Sequence, residues 1–236
     1  MINIYFIGLG GIGSQLCEPI CRFINHLKDR KSYKLFFVDG DDYESSNQSR
    51  QNIKHTDLGK NKASSQYNRM YGLFPNLEME VIAIYINKQN IGDCFNLDEK
   101  SIILGGVDNN KTRHLMQTVA NEIDNVLLLS GGNEYIDGDV QMFAKKNGKA
   151  LLPPIWKYNP GILKPKDKSP EEIGCDELTE SEPQLIFTNG LVSACMQMAF
   201  YNYYKMFDAD IEIEIDKSVI MFDISEMAVV SKLRNI

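Results

Sequence analysis

Apolar residues fall into two alternating rhythms along the chain. Short, nearly continuous apolar runs occupy residues 3–7 (NIYFI), 34–38 (KLFFV), 77–86, 101–104 and 126–129, with glycine, aspartate or other turn formers at several of their ends. Runs this short and this apolar predict buried strands. Between them the period lengthens: Ile12, Leu16, Ile20, Phe23 and Ile24 recur at roughly helical steps over 12–26, and helical patterns also cover 60–73 and about 111–122. These predict amphipathic helices. Strand and helix in alternation predict an α/β fold, a Rossmann-like and mostly parallel sheet with helices on both faces.

After residue 130 the order changes. Residues 139–143 predict one more strand, and 152–184 form a long crossover loop rich in proline and charge (PP, NPG, KPKDKSP, SEP). A loop of that length inside a compact domain is usually functional. Residues 185–206 then predict a helix, and 211–215 with 219–222 a C-terminal antiparallel hairpin. The expectation is a single domain over 1–236, with a nucleotide-binding core at 1–130 and the crossover loop, helix and C-terminal strands at 131–236.

Composition narrows the function classes. With 236 residues, 43% hydrophobic and 24% charged, the chain can build a proper core. A net charge of -7 argues against a nucleic-acid partner. The start, MINIYFIGLGG, runs directly into a strand without the features of a signal peptide. No apolar run approaches the roughly 18 residues of a membrane span. Five cysteines at irregular spacing suit free thiols in a reducing compartment, so the expected location is cytoplasmic. Cys17 and Cys21 share one helix face, but no second ligand pair follows, so they read as core residues rather than a zinc site.

The first chemical motif is the glycine loop, Gly8-Leu9-Gly10-Gly11-Ile12-Gly13, between the first strand and the first helix. Gly8, Gly10, Gly11 and Gly13 allow a tight turn and close approach of backbone to a phosphate, and the helix start offers N–H groups and a positive dipole end. Asp39 closes the second strand, where a carboxylate can accept hydrogen bonds from a ribose. On these residues alone an NAD-dependent oxidoreductase and an ATP site both remain open.

Further motifs follow in order: SNQSRQ at 46–51, GKNKA at 59–63 and VDNNKTR at 107–113. With the glycine loop and the acidic strand end, the chain resembles the ThiF/MoeB/ubiquitin-activating enzyme superfamily over about its first 130 residues. The resemblance implies ATP and Mg2+ as cofactors. It implies adenylation of the C-terminal carboxylate of a small ubiquitin-like or sulfur-carrier protein ending in glycine. By this resemblance Asp39 holds the ribose and Asp41 belongs to the same nucleotide site. Asn47, Arg50 and Lys62 face the triphosphate, Arg50 and Lys62 neutralise charge as pyrophosphate leaves, and Asp108 holds magnesium. Fixed cations lower the barrier when one anion must attack another.

Plainer roles stand beside these. Asn47 can serve a turn, Asp108 can cap the following helix, Arg50 and Lys62 can be surface cations, and Arg113 can pair with an acid rather than touch nucleotide. Relatives that form thioesters carry a cysteine near the position of Cys175. Here Glu171, Glu172, Asp176 and Glu177 surround it and would raise its pKa, so nucleophile and incidental cysteine both remain open. The paired C-x-x-C motifs of many relatives are absent, so zinc is not expected. Many relatives also have a helix before the glycine-loop strand that lends an arginine to a partner's ATP. With the sequence starting at that strand, the expectation is that this arginine is missing or comes from elsewhere, and a homodimer is still expected. A non-catalytic subunit that binds a carrier, and a small molecule or peptide as the carboxylate substrate, are the remaining alternatives.

Overall fold

The computed structural model describes residues 1–157, 159–168, 184–208, 211 and 213–233. In chain order the elements are β1 (Ile2–Ile7), α1 (Gly13–His26), β2 (Tyr33–Val38), α2 (Lys62–Leu73), β3 (Glu78–Ile82), α3 (Ile91–Cys94), β4 (Lys100–Gly105) and α4 (Asn110–Glu122). They continue as β5 (Val126–Asn133), β6 (Asp137–Lys146), β7 (Lys149–Ala150), α5 (Pro160–Leu163), α6 (Ile186–Tyr203), β8 (Val219–Asp223) and β9 (Ala228–Lys232).

The strands form one sheet in the order β3-β2-β1-β4-β5-β6-β8-β9, with β7 paired to β6. The first five in that order are parallel; β6, β8 and β9 add on antiparallel. Alternation along β1 shows how the layers are filled. Ile4 and Phe6 join Leu35, Phe37 and the apolar faces of α1, α2 and α6 on one side. Tyr5 and Ile7 join Phe36, Val38 and α4 residues Met116, Val119 and Ala120 on the other. Helices therefore cover both faces of a mostly parallel sheet, as the sequence pattern predicts. Because strand order reverses between β1 and β4, their carboxyl ends flank the crevice where open α/β sheets take ligands.

Several boundaries differ from the sequence pattern, each for a local reason. The third strand stops at Ile82, and the chain then turns on two asparagines: Asn87 N donates to Asn90 Oδ1 at 2.9 Å, and Asn90 Nδ2 donates to Tyr85 O at 2.8 Å. β5 and β6 run longer than expected because antiparallel pairing continues to Asn133 opposite Gly138. The C-terminal hairpin joins β8 to β9, whereas residues 213–217 are irregular. Its turn is tied at Asp223, whose Oδ1 accepts from the Ser225 N–H at 2.8 Å and the Ser225 hydroxyl at 2.6 Å. Ile213 and Ile215 pack against the core from that irregular backbone, so their alternation reports burial rather than a strand. Within the expected loop, Ile155 and Ile162 are buried and α5 forms, its first turn capped where Asn159 Oδ1 accepts from Gly161 N.

Candidate functional site

β1 ends against α1 with almost no intervening space. Gly8 adopts φ +81°, and a Cβ there would lie 2.6 Å from Val107 Cγ1. A Cβ on Gly13 would lie 2.0 Å from the Gly8 carbonyl oxygen, so this glycine is required for the helix start to sit on the strand end. No side chain caps α1 at Ile12; Ser14 N donates to Gly10 O at 3.1 Å and Gln15 N to Ile12 O at 3.1 Å, so loop carbonyls satisfy part of the first turn, and the positive dipole end lies at the glycine loop.

The second strand delivers its carboxylate to this loop. Asp39 Oδ2 accepts from Leu9 N at 2.6 Å and Oδ1 from Asp41 N at 2.9 Å. Burial pushes the Asp39 carboxyl up from its usual range, and Lys62 and the two N–H groups pull it partly back. Tyr43, fully buried, donates its hydroxyl to Leu9 O at 2.8 Å and accepts from Gln66 Nε2 at 2.8 Å, bracing the loop from behind.

Lys62 opens α2, is 7% exposed, and sets Nζ 2.5 Å from Asp41 Oδ2. Its neighbour Asn61 explains the placement. Asn61 Oδ1 caps the helix by accepting from Ser64 N at 3.0 Å, while Nδ2 donates to Asp39 O at 3.0 Å and Asp41 O at 3.1 Å. The GKNKA segment is thus locked to the acidic strand end, and Asp39, Asp41 and Lys62 meet beside the glycine loop.

The SNQSRQ segment folds against the same loop. Asn47 is buried, and its Oδ1 accepts from Glu44 N at 3.1 Å, so the turn role exists in the structure. Asn52 N donates to Ser14 Oγ at 3.0 Å, and the Gln51 amide lies 3.4 Å from where a Gly10 Cβ would be. Half-buried Arg50 offers its carbonyl to Asn189 Nδ2 at 3.2 Å.

On the β4 side, Asp108 follows Val107 and is exposed. It is not the cap of α4: Asn109 is, with Oδ1 accepting from Thr112 N at 2.8 Å. Arg113 bonds carbonyls, donating Nη2 to Val107 O at 2.9 Å and to Gly131 O at 3.2 Å. Burial pushes its guanidinium down, against the opposing charges of Asp139, Asp108 and Asp167. Arg113 therefore ties the ends of β4 and β5 together.

Cys175 lies outside the described residues. Cys17 and Cys21 are buried in α1 with thiols pushed up by desolvation, which suits a core role. Among the described residues no three His, Cys, Asp or Glu side chains gather as a metal cluster, and no helix is long and apolar enough to cross a membrane. Three site residues escaped the sequence reading: Tyr43, Asn189, and Tyr85, whose ring packs directly on Gly40. Tyr43 and Gly40 stand between recognised motifs and could have drawn notice there; nothing in the pattern of α6 marks Asn189.

In comparison with known proteins, the model of the ThiF family matches residues 2–227. No curated protein matches the chain by sequence. Among solved structures, PaaA superposes with TM-score 0.65 at 12% identity, covering 100% of this chain and 65% of that one. Escherichia coli MccB with ATP gives TM-score 0.64 at 15% identity, over 98% of this chain and 63% of that one. MccB with AMPCPP and MccA gives 0.65 at 14%, over 98% and 63%. The chain thus spans slightly less than two thirds of the length of these three structures.

Proposed function

Because the chain belongs to the ThiF family, we propose that it binds ATP over its glycine loop and adenylates a carboxylate at the C-terminus of a small ubiquitin-like or sulfur-carrier protein or a peptide. The observation that carries this reading is the meeting of Leu9 N with Asp39 and of Lys62 with Asp41 at the β1/β4 crevice. That arrangement offers a side-chain-free cradle, an uncapped helix start, a carboxylate for a ribose and a buried cation for phosphate. MccB, a structural neighbour, has been solved with ATP and with AMPCPP and MccA, which supports a nucleotide and a second partner molecule here.

In the reaction a carboxylate oxygen attacks the α-phosphorus, the bond from that phosphorus to the bridging oxygen breaks, and pyrophosphate leaves with the electron pair. Asp39 orients the adenosine end. Lys62, released from Asp41, supplies a point charge to the phosphates, and the Arg50 guanidinium stabilises charge building on the leaving group. Asp108 would hold magnesium; a single exposed carboxylate fits an ion that keeps phosphate oxygens and waters as its other ligands. Bound magnesium supplies further charge neutralisation. A second step, transfer of the acyl group to Cys175 with release of AMP, would make a thioester. Family membership favours adenylation over the dehydrogenase reading.

Pyrophosphate exchange tests the proposal: labelled pyrophosphate is followed into ATP with magnesium and candidate proteins ending in glycine. Carrier-dependent exchange that is lost in Arg50→Ala and Asp108→Ala is expected. ATP binding without exchange for any carrier would instead mark a non-catalytic subunit.

A further inference from the structure

α6 reaches the glycine loop from the far end of the chain, and it does so with an amide. The helix is apolar on nearly every side, yet near its start it buries Thr188 and Asn189 completely. Thr188 is ordinarily satisfied, its hydroxyl donating to Tyr135 O at 2.7 Å. Asn189 is not. Its Nδ2 donates to Arg50 O at 3.2 Å and lies 3.5 Å from Gln184 Oε1, while its Oδ1 finds no partner among the described residues. The same amide rests on Gly11: a Cβ built there would lie 2.3 Å from Nδ2 and 2.7 Å from Cγ.

A buried amide with one half unsatisfied opposes stability, and an apolar helix could fill the position with an apolar side chain at less cost. What Asn189 adds is a link between two motifs. Arg50 lies 139 positions away and Gly11 still farther, so no local turn accounts for the contact. The geometry points to Asn189 as a positioning residue: by holding the Arg50 main chain while packing on Gly11, it fixes the spacing between the segment that bears Arg50 and the phosphate-binding loop. It acts through those two residues. The inference rests on the reading above of Arg50 and the glycine loop as nucleotide contacts.

A double-mutant cycle on ATP affinity tests it, with ATP and magnesium titrated by calorimetry or by displacement of a fluorescent analogue. The proteins are wild type, Asn189→Ala, Arg50→Ala and the double variant, each checked for folding by thermal melting. Asn189→Ala is expected to weaken ATP binding about tenfold, the equivalent of one lost hydrogen bond in the bound state. The double variant is expected to bind no more weakly than Arg50→Ala alone, because the guanidinium that Asn189 holds in place through the position-50 main chain is then absent. Should Asn189→Ala melt below the assay temperature, Asn189→Ser takes its place; its hydroxyl is too short to span to Arg50 O. Unchanged affinity in a folded Asn189 variant, or losses that simply add, would overturn the inference alone. Failure of the wild-type protein to bind ATP would overturn the nucleotide reading and this inference with it.

Discussion

Gly11→Ala probes the contact between α6 and the glycine loop in isolation. The new methyl would sit 2.3 Å from Asn189 Nδ2 and 2.9 Å from Oδ1. Asn189 is short and fully buried, so it cannot swing into solvent. Overpacking of this kind costs about 1–3 kcal/mol. Displacing the amide also breaks its bond to Arg50 O, which adds about 0.5–1.5 kcal/mol. Loss of a glycine's freedom in the unfolded chain offsets about 0.4–1 kcal/mol. The net expectation is a loss of roughly 0.5–4 kcal/mol from these terms together. Asn189→Ala alone removes one hydrogen bond but also an orphaned acceptor, so its cost is expected near 1 kcal/mol.

The informative comparison is the double variant. With the amide gone, the methyl at position 11 has room, so Gly11→Ala/Asn189→Ala should be more stable than Gly11→Ala by about 1 kcal/mol. Urea unfolding at 25 °C, fitted with a common slope, reads all four proteins. Gly11→Ala as stable as wild type, or a double variant weaker than Gly11→Ala, would show that α6 does not lie against the loop in this way.

Two further outcomes follow from the same geometry. Asp39 has a folded-state pKa raised by burial, so the native protein holds a proton over a pH range where the unfolded chain has lost it. Its contribution to stability therefore falls as pH rises from the unfolded carboxyl value of about 4 through the raised folded value. Wild type should lose stability relative to Asp39→Asn across that window, read from unfolding midpoints at successive pH values; a flat difference or one of opposite slope would contradict the burial. The α4 start separates chemistry from capping: Asp108→Ala should change stability by no more than about 0.5 kcal/mol yet abolish exchange. Asn109→Ala should instead cost about 1 kcal/mol through the lost bond to Thr112 N. Thermal melting with exchange rates distinguishes the two, and equal stability loss in both would put the cap on Asp108 after all.

The fold was legible because its signals are periodic and local. Buried strands read as continuous apolar runs and amphipathic helices as three- and four-residue steps, and both survive in a single sequence. Hairpin pairing was not legible, because Ile211, Ile213 and Ile215 have the alternation of a strand while the choice of partner for β8 depended on a turn tied at Asp223. At the site, the motifs named Asp39, Asp41, Asn47, Arg50, Lys62 and Asp108, and the structure brings Asp39, Asp41 and Lys62 together. It also assigns the α4 cap to Asn109 and gives Asn47 a turn role, distinctions that depend on where a side chain's oxygen points.

The sequence by itself determined the alternating layers, the glycine loop at the strand-to-helix junction and the order of charged residues around it, since each depends on neighbours within a few positions. Only the tertiary structure decided that Tyr43 braces Leu9 from behind and that Asn189 joins Gly11 to Arg50. Those contacts link residues tens to more than a hundred positions apart, and a buried amide on an apolar helix has no periodic pattern to announce what it will meet.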